Sequence, residues 1–246
     1  MKNYYLFLFL LFFCSSFTQA QTAGEIVNSY LETSGGIKKL KDLKAIKMNA
    51  VIMAEDKEIP LEIYNTKNGK QALIIDLDGT RITQFAFDGK TMWTTDMLTG
   101  IAEKGLKEIT ANIKLSANDF PTPFLNYLEK GYTLEYIGEE KIGRSKTHKI
   151  KLIQEPISIN GEQQESVLIY YFDEKTFLPV SKSSEIMIDG KYEEINQSYL
   201  SNYKEVKGLL FPFTIIESGQ EIKIITIELD PEIDPVIFDF PGNSDN

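Results

Sequence analysis

The chain has 246 residues, with 36 acidic against 26 basic side chains for a net charge of −10, one histidine and one cysteine. That balance makes nucleic acid and anionic lipid headgroups poor partners for the surface as a whole. With only His148 and Cys14 available, zinc sites built on several imidazoles or thiolates are excluded, and so are disulfides within the chain.

Residues 1–20 read as a signal peptide: Lys2 supplies the positive start, Tyr4 to Phe13 the apolar run, and Thr18-Gln19-Ala20 a cleavage site before Gln21. The run is too short to anchor in a bilayer. Cys14 follows Phe12 and Phe13, whereas acylation at a lipoprotein cysteine needs a small residue before it, so cleavage is expected after Ala20. The expected product is a soluble, cysteine-free chain beyond the inner membrane, with residues 21–246 forming one domain.

A short helix opens it, with Ile26, Val27, Tyr30 and Leu31 on one face and Gly35-Gly36 as the stop, and Ile37, Leu40 and Leu43 predict a second turn of helix. The period then changes to two. Ile46, Met48, Ala50 and Ile52 share one strand face, as do Ile59, Leu61 and Ile63, while Glu58, Pro60 and Glu62 point the other way. Asn68-Gly69, Asp78-Gly79 and Asp88-Gly89, the last read as a type I′ turn, mark hairpins around Lys70 to Leu77, Thr80 to Phe87 and Lys90 to Thr95. From Met97 to Lys130 helical spacing returns at Leu106, Ile109 and Ile113 and again at Phe124, Leu125 and Leu128, with Pro121 and Pro123 between; Phe120 to Phe124 is a candidate hinge.

A second meander follows: Tyr132 to Ile137, Lys146 to Ile153, Glu165 to Phe172, Leu178 to Ile188, Lys191 to Tyr203, Leu209 to Glu217 and Glu221 to Leu229. Asn160-Gly161, Asp189-Gly190 and Gly219-Gln220 are its turns. So many strands cannot stay flat. The expected fold class is mainly β (α+β): a curved antiparallel half-barrel of about 11 strands with helices covering the concave face.

Reactive chemistry is scarce. Alternation puts His148 on the face of Ile150 and Leu152, which reads as a packed strand histidine, and no G-x-S-x-G elbow, P-loop or G-x-G-x-x-G accompanies it. The carboxylate pairs Glu193-Glu194 and Glu139-Glu140 are adjacent on strands and so point to opposite faces. Arg81 and Arg144 are the only arginines, which disfavours a phosphate-binding enzyme. No catalytic residue, metal site or cofactor is expected.

Four segments, in this order, resemble the LolA/LolB-like lipoprotein-carrier superfamily: Phe87-Asp88-Gly89-Lys90-Thr91-Met92-Trp93, Phe172 to Val180, Tyr203 to Pro212, and Ile227 to Phe238 with Pro241 just beyond. The resemblance implies a periplasmic half-barrel that shelters acyl chains: a non-enzymatic carrier or binding protein for lipoproteins or other acyl-chain ligands, active in outer-membrane biogenesis. Its implied partners are lipoprotein acyl chains or lipid, with membrane-bound donor or acceptor proteins, and no nucleic acid. Neither Arg81 nor Arg144 stands in a motif matching the arginine that helps close the cavity in known carriers. The alternative is a non-catalytic envelope protein-interaction or stress-sensing module on the same fold. The residues expected to line an apolar cavity are Met48, Ile52, Leu61, Ile63, Phe85 and Trp93, with Phe85 read on one face with Arg81, Thr83 and Phe87.

Overall fold

The computed structural model describes residues 22–54, 57–188 and 191–241; the expected signal peptide with Cys14, and the Asp189-Gly190 turn, lie outside them. Helix α1 (Ala23–Thr33) starts on a capping box, in which Thr22 accepts from the Glu25 amide and the Glu25 carboxylate accepts from the Thr22 amide. Its buried stripe is Ala23, Ile26, Val27 and Leu31. The close approach that follows is why Gly35 has no side chain: a Cβ there would run into the Gly208 carbonyl, next to where the Leu210 amide bonds the Ser34 carbonyl at 3.0 Å. Helix α2 spans Ile37–Asp42.

Six strands follow: β1 (Ala45–Ala54), β2 (Lys57–Thr66), β3 (Gln71–Leu77), β4 (Thr80–Phe87), β5 (Met92–Thr95) and β6 (Ala102–Lys104). Helix α3 (Lys107–Ser116), a 3-10 turn at Ala117–Asp119 and a run of turns to Gly131 lead to the second set. This is β7 (Thr133–Ile142), β8 (Ser145–Ile159), β9 (Glu162–Asp173), β10 (Pro179–Ile188), β11 (Lys191–Val206), β12 (Leu209–Glu217) and β13 (Gln220–Leu229). All thirteen make one antiparallel sheet in the order β6-β5-β4-β3-β2-β1-β13-β12-β11-β10-β9-β8-β7. The sheet stays open, curved into a half-barrel. Because β6 and β7 are its two edges yet consecutive in sequence, the connection between them crosses from one edge to the other.

The expected turns differ in detail. Asp78-Gly79 and Asn160-Gly161 have both residues at positive φ, as a type I′ hairpin needs. At Asp88-Gly89 only the glycine does; the Asp88 carboxylate instead accepts from the Lys90 and Thr91 amides at 2.7 Å, an Asx-type turn. The second expected helix, around Phe124 to Leu128, is a series of turns with Asn126 at φ 55, so the helical ladder cannot propagate. Strand β6 is three residues long, too short for alternation to reveal it.

The concave face carries the main core. Ile46, Ala50 and Leu61 from β1 and β2, Ile150, Leu152, Tyr170 and Phe172 from β8 and β9, and Ile224, Ile227 and Leu229 from β13 pack against α1. A second cluster lies on the convex side, where Ile233, Ile237, Phe238 and Phe240 of the C-terminal segment cover Tyr64, Ala72, Ile74, Ala86 and Trp93.

Candidate functional site

Strand register builds the concave surface. Met48 opposes Ile63, Ala50 opposes Leu61 and Ile52 opposes Ile59; on the next strands Ile63 opposes Leu73, Leu61 opposes Ile75, and Leu73 opposes Phe85. Directly paired residues share a face, so Met48, Ile52, Leu61, Ile63 and Phe85 meet on one surface. Leu61 is buried there, while Ile52, Ile59, Ile63, Leu73, Ile75 and Phe85 are half-buried. From the other side Ile215 and Ile222 continue the row.

Phe85 reaches this face because of a bulge. Leu73 pairs with Phe85 but Ile74 with Thr83, so one extra residue, Gln84, reverses the alternation. Thr83 and Arg81 therefore face away from Phe85, and Arg81 bonds Glu62 at 2.8 Å on the convex side, which corrects the expected common face. Trp93 is also on the convex side. It pairs with Ala86, the neighbour of Phe85, and its indole donates to the Phe238 carbonyl at 2.9 Å under the C-terminal segment. Period-two reasoning carried across the β4–β5 turn does not separate Phe85 from Trp93; the pairing of the two strands does.

Helix α3 lies against β8 and β5 without burying any residue of its own, and its Ile109 is 42% exposed. Polar contacts hold it instead. Glu108 accepts from the Ser158 hydroxyl at 3.0 Å and from the Asn160 and Gly161 amides at 2.9 and 2.7 Å. One helical turn later Asn112 exchanges two hydrogen bonds with the Ser158 backbone, at 2.7 and 3.0 Å. Hydrogen bonds led by the Gly161 amide hold the Glu108 carboxyl below the usual range, against the opposing effect of desolvation. Beneath the C-terminal half of α3 is a gap of about 40 Å³, lined by Leu115, Tyr132 and Ile157 among others, with room for little more than a water. The clasp joins residues some 50 positions apart, so no spacing in the sequence signals it.

The crossing segment is fixed next. Phe124 is 1% exposed and stands edge-on to Tyr170 (4.7 Å), Phe172 (5.5 Å) and Tyr30 (5.7 Å), which makes the expected hinge a core anchor. Asp119 accepts from Lys130 (3.0 Å) and Tyr132 (3.1 Å), and also from Gln154 of β8. Burial raises the Tyr30 and Tyr170 phenols above their ordinary value, consistent with neutral hydroxyls inside an apolar core. Between this segment and α2 opens a cleft of about 730 Å³.

His148 is a buried strand residue on the concave side, stacked at 6.3 Å on Phe177 with Tyr136 on its other flank. Glu194 is on the convex side, where Lys149, Ser183 and Tyr171 all donate to it. Among the described residues no group of three or more His, Cys, Asp or Glu side chains could hold a metal ion. No described helix is long and apolar enough to cross a membrane.

An open antiparallel half-barrel with helices across its concave, apolar face defines a recognisable class of fold. Several solved structures share it. A LolA superfamily protein from Nitrosomonas europaea aligns over 89% of this chain and 98% of its own at 16% identity and a TM-score of 0.52. A DUF1329 family protein from Desulfovibrio piger aligns over 89% and 98% at 11% identity and 0.54, and an outer membrane lipoprotein-sorting protein domain from Vibrio parahaemolyticus over 88% and 95% at 11% and 0.50. At these identities the likeness establishes the fold. No protein-family model matches the chain, and neither does any curated protein.

Proposed function

We propose that this protein is a non-catalytic periplasmic binding protein or carrier for acyl chains, presented by lipoproteins or by lipid, that exchanges them with membrane-bound donors and acceptors. The observation that carries this reading is the half-buried apolar row of Ile52, Ile59, Ile63, Leu73 and Phe85 beside a helix that buries nothing and is held by Glu108 and Asn112. A helix held by polar contacts alone can move without breaking a packed core. Each methylene transferred onto the apolar row from water gains about 0.8 kcal/mol, so the site needs no charged group to hold a chain. Candidate ligand contacts are Met48, Ile52, Leu61, Ile63 and Phe85, with cleavage after Ala20 delivering residues 21–246 to the periplasm as one domain.

The test is displacement of a bound apolar fluorophore by myristate. Ile63→Glu sets a carboxylate among Met48 and Leu73, where an unpaired charge is costly, and is expected to abolish binding in a folded protein. Lys223→Glu, paired with Val51 on the opposite face and exposed, is expected to bind normally. A folded Ile63→Glu protein that binds like the wild type, or equal loss in both variants, would refute the assignment.

A second reading, a docking module for envelope proteins, rests on apolar side chains left bare between β5 and α3: Leu98 is 97% exposed, Leu106 71% and Ile101 58%. It predicts that the purified protein carries no lipid in native mass spectrometry.

A further inference from the structure

The cleft of about 730 Å³ between α2 and the crossing segment differs in chemistry from the concave face. Its apolar lining is Leu40, Leu43, Phe120, Leu125 and Tyr132. All five belong to, or pack against, the same core cluster as Met48, Ile52 and Leu61, so the floor of the cleft is a flank of that core. Above that lining the walls are charged, with opposite signs on opposite sides. Lys41 of α2 and Lys67 of the β2–β3 turn stand on one wall; Glu129 of the crossing segment and Glu155 of β8 stand on the other.

These four charges are available to a ligand, whereas the third lysine is occupied: Lys130 is bound to Asp119 at 3.0 Å and lies 5.0 Å over the Tyr132 ring. Lys67 is steadied by one bond to the Lys41 carbonyl at 2.6 Å, which leaves ammonium hydrogens for another acceptor. Asn118 and Asn126 add amide groups at the rim. The volume lies in the range of small-molecule sites, and the lining divides about evenly between apolar side chains and polar or charged ones, which suits a ligand with an apolar body and a charged head.

A purely anionic head would gain from the lysines and be repelled by the glutamates, and a purely cationic head would meet the reverse. A head carrying both charges satisfies both walls. Carboxylates accept hydrogen bonds, so an ammonium with N–H donors pairs with Glu129 and Glu155 better than a quaternary one. We propose that this cleft is the head-group subsite for a zwitterionic amphiphile with a primary ammonium beside a phosphate, the chemistry of an ethanolamine phospholipid, whose chain continues onto the concave face. The proposal rests on the acyl-chain reading above and specifies its ligand.

The experiment holds the chain constant and varies the head. Myristoyl lysophosphatidylethanolamine, myristoyl lysophosphatidylcholine, myristate and myristyl alcohol compete with a bound apolar fluorophore, and tail-free glycerophosphoethanolamine tests whether the head binds alone. The ethanolamine compound is expected to displace the probe at a concentration at least fivefold below the choline compound and myristate. Lys41→Glu/Lys67→Glu is expected to erase that preference, and Glu129→Lys/Glu155→Lys to turn it toward myristate, with both variants binding the alcohol like the wild type. Equal displacement by all four heads in the wild-type protein overturns the subsite while leaving the carrier reading intact. If the wall charges merely attract each other across the cleft, both double variants change affinity for every head alike, which also overturns it. Failure of every chain to displace the probe sinks the carrier reading itself.

Discussion

Replacing Phe124 by alanine removes the ring that fastens the crossing segment to the sheet. The side chain is 1% exposed and meets three aromatic neighbours edge-on, at 4.7, 5.5 and 5.7 Å. Truncating a buried phenylalanine costs about 3–5 kcal/mol, within which each edge-on ring pair accounts for about 0.5–1.5 kcal/mol. For a domain of this size that corresponds to a melting temperature lower by roughly 10 °C. Phe124→Leu retains most of the apolar volume and should cost about 1 kcal/mol. Thermal and urea unfolding followed by circular dichroism give both values. Hydrogen exchange should localise the loss to the turns from Thr122 to Tyr132, including the Tyr132 amide bonded to the Tyr127 carbonyl. If the alanine variant melts within about 2 °C of the wild type, or the two variants are alike, the segment is held by something other than the Phe124 ring.

Glu194→Gln weakens the convex network that joins Lys149, Tyr171 and Ser183, at about 2 kcal/mol. Burial pushes the Glu194 carboxyl up, but the bonds from Lys149, Ser183 and Tyr171 outweigh it and hold it below the usual range. Its contribution is therefore complete above the unfolded value of about 4.3 and is lost as pH falls through the lower folded value. The stability gap between wild type and Glu194→Gln should shrink on acidification below about pH 4, and a gap that widened there would contradict the network. Trp93, the chain's one tryptophan, is 4% exposed beneath Phe238 and 6.0 Å from Phe240. Its emission should be blue-shifted, unmoved by saturating myristate, and shifted red by truncation after Asp234; an equal shift with myristate would place the ligand on the convex face.

Where local chemistry decides the conformation, the sequence was sufficient. Asp78-Gly79 and Asn160-Gly161 took the hairpin turns their side chains favour, and the alternation of Met48, Ile52, Leu61 and Ile63 placed them on a common face. What local pattern could not carry was any feature set by pairing with a distant strand. The Gln84 bulge, the separation of Trp93 from Phe85, the short β6 and the Glu108 clasp each depend on a partner whose position follows only from the assembled sheet. Phe124 looked like part of a helical stripe, and the positive φ at Asn126 broke that helix while tertiary packing kept the ring.

The pairing of β1 with β13 joins the beginning of the sheet to its end, from Ile46 opposite Leu229 to Ile52 opposite Ile222. Asp230 closes the seam by accepting from the Lys44 and Ala45 amides at 2.7 and 3.0 Å. Every other strand pair links neighbours in sequence, so each ladder on either side can zip locally. The seam alone must wait for the last strand to be made. Until then β1 offers an unpaired edge bearing Ile46, Met48 and Ile52, a template for pairing with other chains. A chain cut short before β13 is therefore expected to expose an adhesive edge in the middle of its sheet, where the described thirteen-stranded sheet has the short β6 and the glutamate-bearing β7 as its margins.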